Sequence, residues 1–162
     1  MVSGWSAGIY RERTMIASED KLQARVVLGV SLAMAGIFIY AAIDKIRDPL
    51  QFADSVAAFG ILPAVFVSLL ALALPPFEIA CGLLMLAPRT RRIGALAITL
   101  LSAIFFTALA SALLRGLTLD CGCFGAGAPS RPRMWLELVL DMVLFASALW
   151  VYLRSITQPS LE

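Results

Sequence analysis

Four long apolar stretches, at residues 26–43, 61–87, 93–114 and 135–153, constrain this chain more than any other feature. As helices they would span about 27, 40, 33 and 28 Å at 1.5 Å per residue, against a hydrocarbon core of about 30 Å. The expected fold is an all-α, four-helix transmembrane bundle. Composition points the same way. Of 162 residues, 60% are hydrophobic and 15% charged, whereas soluble domains carry about 25% charge. The surplus apolar surface needs lipid, and a soluble bundle with a greasy core is the alternative that four such stretches argue against.

The second stretch is longer than a membrane requires, so tilt or a kink is expected. Pro75-Pro76 supplies the kink, since neither residue can donate a backbone hydrogen bond. Pro63 suits a helix start. Before it, Phe52, Val56 and Phe59 recur at helical spacing around Asp54, which reads as a short interfacial helix. Residues 1–25 form a mixed polar tail with no apolar run and cleavage site of a secretory signal. Residues 26–153 form the membrane domain, and residues 154–162 a second tail. Trp135, Trp150 and Tyr152 fall near the ends of the fourth stretch, where amphipathic rings prefer to sit.

Lys and Arg in short loops set orientation. Arg11, Arg13, Lys21, Arg25, Arg89, Arg91, Arg92 and Arg154 fall on one side, with three arginines crowded in one tight turn. Lys45, Arg47, Arg115, Arg131 and Arg133 fall on the other. Both termini are therefore expected in the cytoplasm, and the loop after Arg115 outside.

That loop holds Asp120-Cys121-Gly122-Cys123-Phe124-Gly125. Three readings stand. In the first, Cys121 and Cys123 form a redox pair. A disulfide needs Cα atoms about 4.4–6.8 Å apart with a torsion near 90°; a Cys-x-Cys ring reaches this only by bending at Gly122. Such a bond is strained and more oxidising than a structural disulfide, and the outer face is where disulfides persist. In the second, two thiolates hold a soft ion such as Cu(I) or Zn, although a structural zinc site needs four ligands. In the third, the pair only shapes a turn. The chain has no histidine, so the commonest general base and zinc ligand are absent. Net charge of +2, with no basic patch interleaved with aromatics, speaks against nucleic acid.

Glu78 lies inside the second stretch, where an acid costs roughly 2.5–3.5 kcal/mol on insertion scales. It is expected to face the bundle interior, with a functional or proton-relay role. Cys81, three residues on, shares its face and reads as a small hydrophobe. Glu137 and Asp141 share a face of the fourth helix. With Asp44, Lys45 and Asp120 they form a supporting polar set towards the outer side, for which interhelical polar glue is the plain alternative.

Ala42-Ile43-Asp44-Lys45-Ile46-Arg47-Asp48-Pro49, Phe52-Ala53, Leu62-Pro63, Leu74-Pro75 with Glu78 and Gly82-Leu83-Leu84, and Asp120-Cys121-Gly122-Cys123-Phe124-Gly125 together resemble the methylamine-utilisation MauE branch of the DoxX-like membrane proteins. The resemblance runs from about residue 26 to 149. It implies a four-helix protein of the bacterial plasma membrane that supports maturation of methylamine dehydrogenase, an exported, disulfide-rich enzyme. It also implies a thioredoxin-like partner, expected in trans. Carried over, Cys121 and Cys123 become the redox pair, and Lys45 and Glu78 the polar positions of the bundle. The main expectation is a membrane thiol–disulfide oxidoreductase, or the membrane half of one, passing electrons to or from the bilayer with a quinone as candidate carrier. A non-catalytic anchor or assembly subunit, and a small transporter using Glu78, are the rival classes.

Overall fold

The computed structural model describes residues 3–119 and 130–157. Five helices follow one another: α1 (Ser3–Arg47), α2 (Pro49–Ala58), α3 (Ala64–Leu86), α4 (Pro88–Leu114) and α5 (Arg131–Thr157). Strands are absent among the described residues. Four segments are long and apolar enough to cross a membrane: Lys21–Arg47, Ala64–Leu86, Pro88–Leu114 and Arg131–Thr157. α4 packs most extensively on α5, α1 on α3, and α3 on α4, while α2 lies against α3.

The interior is built from one stripe per helix. On α1 it runs Val27, Ser31, Met34, Ala35, Phe38, Ala41, Ala42 and Lys45; on α3, Val67, Ala71, Leu74, Pro75, Glu78, Cys81, Gly82 and Met85. Spacings of three and four residues are those of a single helix face. The outward faces are equally apolar. Val65 and Leu72 are 78% and 77% exposed, and Leu100 and Val143 are more than half exposed. In water each such side chain would forfeit roughly 1.5–3 kcal/mol of burial; in lipid it forfeits nothing. The chain is a multi-pass membrane protein.

Local sequence explains where the helices stop. α2 starts at Asp48, whose carboxylate accepts from the Gln51 N–H at 3.0 Å, with Pro49 in the first turn. Pro75 and Pro76 both lie inside α3. Lacking N–H groups, they leave the carbonyls of Ala71 and Leu72 without their helical partners, which is the weakness read from the sequence as a kink. α3 and α4 are joined through Ala87 alone. Across that turn the Thr90 hydroxyl donates to the Leu84 carbonyl at 2.9 Å and the Arg91 Nε donates to that of Met85 at 3.4 Å, so α4 caps the end of α3. This explains why Arg91 is buried in a membrane bundle.

α4 ends on Gly116, in the left-handed region at φ 73°. Gly116 N–H donates to Leu113 and Leu117 N–H to Ala112, each at 3.0 Å, the paired pattern that satisfies the last carbonyls of a helix. Arg115 then donates to the Phe59 carbonyl at 2.7 Å. This bond ties the end of α4 to the end of α2 and fixes one rim of the bundle. The start of α5 lies at the same rim, where the Leu119 N–H donates to Met134 Sδ.

Candidate functional site

The ionisable residues that look out of place in apolar helices fall on the buried stripes, and these stripes bring them together inside the bundle. Lys45 is 2% exposed and Glu78 3%. The Lys45 Nζ donates to both carboxylate oxygens of Glu78, at 2.8 and 2.9 Å, linking α1 to α3. The ammonium also sits 5.4 Å from the Phe52 ring centre and 6.0 Å from that of Phe105, so α2 and α4 roof it with aromatic faces.

Asp141, from α5, faces the same space. Lys45, Glu78, Ser102, Phe105 and Asp141 are among the residues lining a cavity of about 20 Å³, room for a single water. Glu137, one turn closer to the rim on α5, is also buried and within electrostatic reach of Asp141. Its Oε1 accepts from the Arg133 Nε at 3.1 Å, with Arg133 partly exposed at the rim. Glu137 Oε2 and Ser102 Oγ are buried without a hydrogen-bond partner among the described residues. Cys81 is a buried free thiol one turn from Glu78.

Of the residues singled out from sequence, Lys45, Glu78, Glu137 and Asp141 thus converge. Asp44 is half-buried beside Lys45 in the chain. Asp120, Cys121 and Cys123 lie outside the described residues. The stems of their loop are placed: Leu119 N–H donates to Met134 Sδ at 3.2 Å, which pins the loop's entry to the first turn of α5, one turn from Glu137. Sequence reasoning missed Ser102, Phe52 and Phe105. Ser102 and Phe105 are three residues apart on α4, and Phe52 was read only as part of an interfacial face.

A metal is poorly served here. Among the described residues no group of three or more Cys, Asp or Glu side chains is disposed to hold one. The cavity's chemistry is that of one cation, its paired carboxylate and a second carboxylate beyond it.

Residues 23–154 match the family described as methylamine utilisation protein MauE. The chain belongs to the MauE family. It is 34% identical over 129 residues to methylamine utilization protein MauE of Paracoccus denitrificans, covering 79% of this chain and 69% of that protein. Against the protein of the same name from Methylophilus methylotrophus it is 35% identical over 125 residues, 76% of this chain and 63% of the relative. Against that of Paracoccus versutus it is 34% identical over 117 residues, 72% and 62%. The chain therefore spans less than two thirds of the length of the last two. No solved structure matches it. The MauE match encloses Lys45, Glu78, Glu137 and Asp141 as well as Cys121 and Cys123.

Proposed function

We propose that this chain is the membrane component of a thiol–disulfide redox system on the outer face of the bacterial plasma membrane, with both termini cytoplasmic. Cys121 and Cys123 exchange disulfides with a thioredoxin-like protein and so support maturation of an exported enzyme of methylamine utilisation, such as methylamine dehydrogenase. The observation that carries the reading is the pairing of two cysteines in a loop whose entry is held, through Leu119 and Met134, one turn from Glu137 of the buried polar cluster. The methylamine-utilisation names of its relatives supply the process.

The exchange is closed in atoms and electrons. A partner thiolate attacks one sulfur of the Cys121–Cys123 disulfide, giving a mixed disulfide and one free thiolate. The partner's second thiol then resolves the mixed bond. Two electrons pass, the partner leaves oxidised, and Cys121 and Cys123 are left reduced. The reverse direction uses the same intermediate.

Thiol trapping in cells tests this. Wild type is expected to show a thiol state that responds to oxidant, and Cys121→Ser or Cys123→Ser to accumulate a mixed disulfide through the remaining cysteine. Both variants should lose methylamine-dependent growth. If both support growth as wild type does, and no mixed disulfide forms, the chain is an assembly or anchoring subunit instead.

A further inference from the structure

We propose that Asp141 is an exchangeable-proton site, bridged by one buried water to the Ser102 hydroxyl, with Lys45 and Glu78 as a fixed counter-ion pair beside it. This deepens the redox reading, which supplies a use for the proton; the site's existence does not depend on that reading.

Ser102 provides the first argument. Buried hydroxyls in this bundle satisfy themselves on their own helix: Ser31 donates to Val27 and Thr99 to Ala95, each at 2.7 Å. That is the usual habit of Ser and Thr inside helices. Ser102, 1% exposed, does not do so, and its Oγ has no partner among the described residues. It lines the cavity that Asp141, Glu78 and Lys45 also line. A cavity holds water when it has the volume of one molecule and two to four polar partners, and this one has both.

Charge provides the second. Lys45 spends its ammonium on both oxygens of Glu78. Around Asp141, α1 contributes Lys45, α3 contributes Glu78 and Cys81, and α5 itself contributes Glu137 and Arg133. α4 contributes only Ser102, since its charged residues Arg89, Arg91 and Arg92 all lie in its first turns. α2 contributes the Phe52 ring. The described cluster therefore holds three carboxyl groups against two cations, and the second cation is engaged with Glu137 at the rim. One proton completes the balance. The carboxyl that faces the cavity without a cation of its own is that of Asp141.

Geometry provides the third. Glu137 and Asp141 are four residues apart, a rise of about 6 Å on one face of α5. Arg133, Glu137, Asp141 and Ser102 thus form a file from the rim to the interior, ending on the Lys45–Glu78 pair. The file opens beside Leu119, the stem that leads into the segment with Cys121 and Cys123. In the exchange above, the thiolate freed by the partner's attack takes up a proton and the partner's resolving thiol releases one, so Asp141 can donate the first and recover the second with no further reactant.

Infrared difference spectroscopy on the full chain in lipid nanodiscs, with hydrogen–deuterium exchange, tests the site. Wild type at neutral pH is expected to show one protonated-carboxyl band that shifts on deuteration. The band should vanish in Asp141→Asn and change frequency in Ser102→Ala, a small substitution that the bundle can absorb. No such band, a band that survives in Asp141→Asn, or one unmoved by Ser102→Ala overturns the proposal. Thiol trapping on the same samples separates the two readings. Failed trapping with the band intact removes the redox reading and leaves the proton site.

Discussion

Glu78→Ala is expected to destabilise the folded bundle by about 3–5 kcal/mol, because it takes from the buried Lys45 ammonium the carboxylate to which it donates. The Lys45 side chain is 1% exposed and its ammonium donates to both Glu78 oxygens, with the Phe52 and Phe105 rings beside it and Asp141 across the shared cavity. Lys45→Met should cost a similar amount by stranding the carboxylate. The double replacement Lys45→Met with Glu78→Leu removes both charges and roughly keeps volume, and such exchanges are often neutral or stabilising by about 1–4 kcal/mol. Unfolding in mixed micelles, followed for both single variants and the double, measures the coupling. Ordinary interhelical hydrogen bonds in membranes average about 0.6 kcal/mol. A single-variant loss that small would show the pair to be incidental. The double variant also separates stability from function. If it is stably folded yet fails to support methylamine-dependent growth, the charges serve the chemistry. If it supports growth fully, they only hold α1 to α3.

The charged half of this site was legible because charge in an apolar helix is expensive, so Glu78, Glu137 and Asp141 stand out against their surroundings. Lys45 was harder. It is two residues from the end of α1 and reads first as a residue reaching for the interface, yet it continues the spacing of Phe38, Ala41 and Ala42 and belongs to the buried stripe. Ser102 and Phe105 gave no signal. α4 is apolar on all sides, so its pattern does not say which face is inside, and a lone serine in such a helix ordinarily bonds to its own backbone. The polar segment before residue 26 shows another limit. Its charges end the apolar span, but α1 is helical from Ser3 onward, since Glu, Lys, Arg, Gln and Ala are all good helix formers. Polarity marks where a helix can leave lipid, and backbone propensity decides where it ends. The cysteine loop was found from residue types alone, as two thiols around a glycine, and its place in the fold enters only through its stems.

Gly94 is the position where the smallest change should do most damage to the bundle. A Cβ there would lie 2.9 Å from the Met85 nitrogen, 3.0 Å from the Leu84 Cβ and 3.1 Å from the Cys81 carbonyl oxygen. Two of those three atoms are backbone and cannot turn aside. The single-residue connection through Ala87 also leaves α4 little freedom to swing away from α3. Gly94→Ala is therefore expected to cost about 1–3 kcal/mol through overpacking, despite the roughly 0.8–1.0 kcal/mol that alanine gains over glycine in a helix. Gly36→Ala is the matched control, because nothing lies within 4 Å of a Cβ added there; it should be neutral or stabilising. Equal stability of the two variants in micelle unfolding would refute the close-approach argument. A lever effect on the site follows as well. α3 and α4 are antiparallel, so moving seven residues back from Met85 along α3 reaches Glu78 while moving eight on from Gly94 along α4 reaches Ser102. Forcing the helices apart at Gly94 carries Ser102 away from the cavity it shares with Glu78 and Asp141. Gly94→Ala should consequently displace the protonated-carboxyl band in the same sense as Ser102→Ala, although the substituted residue is about 12 Å along the helix from that serine.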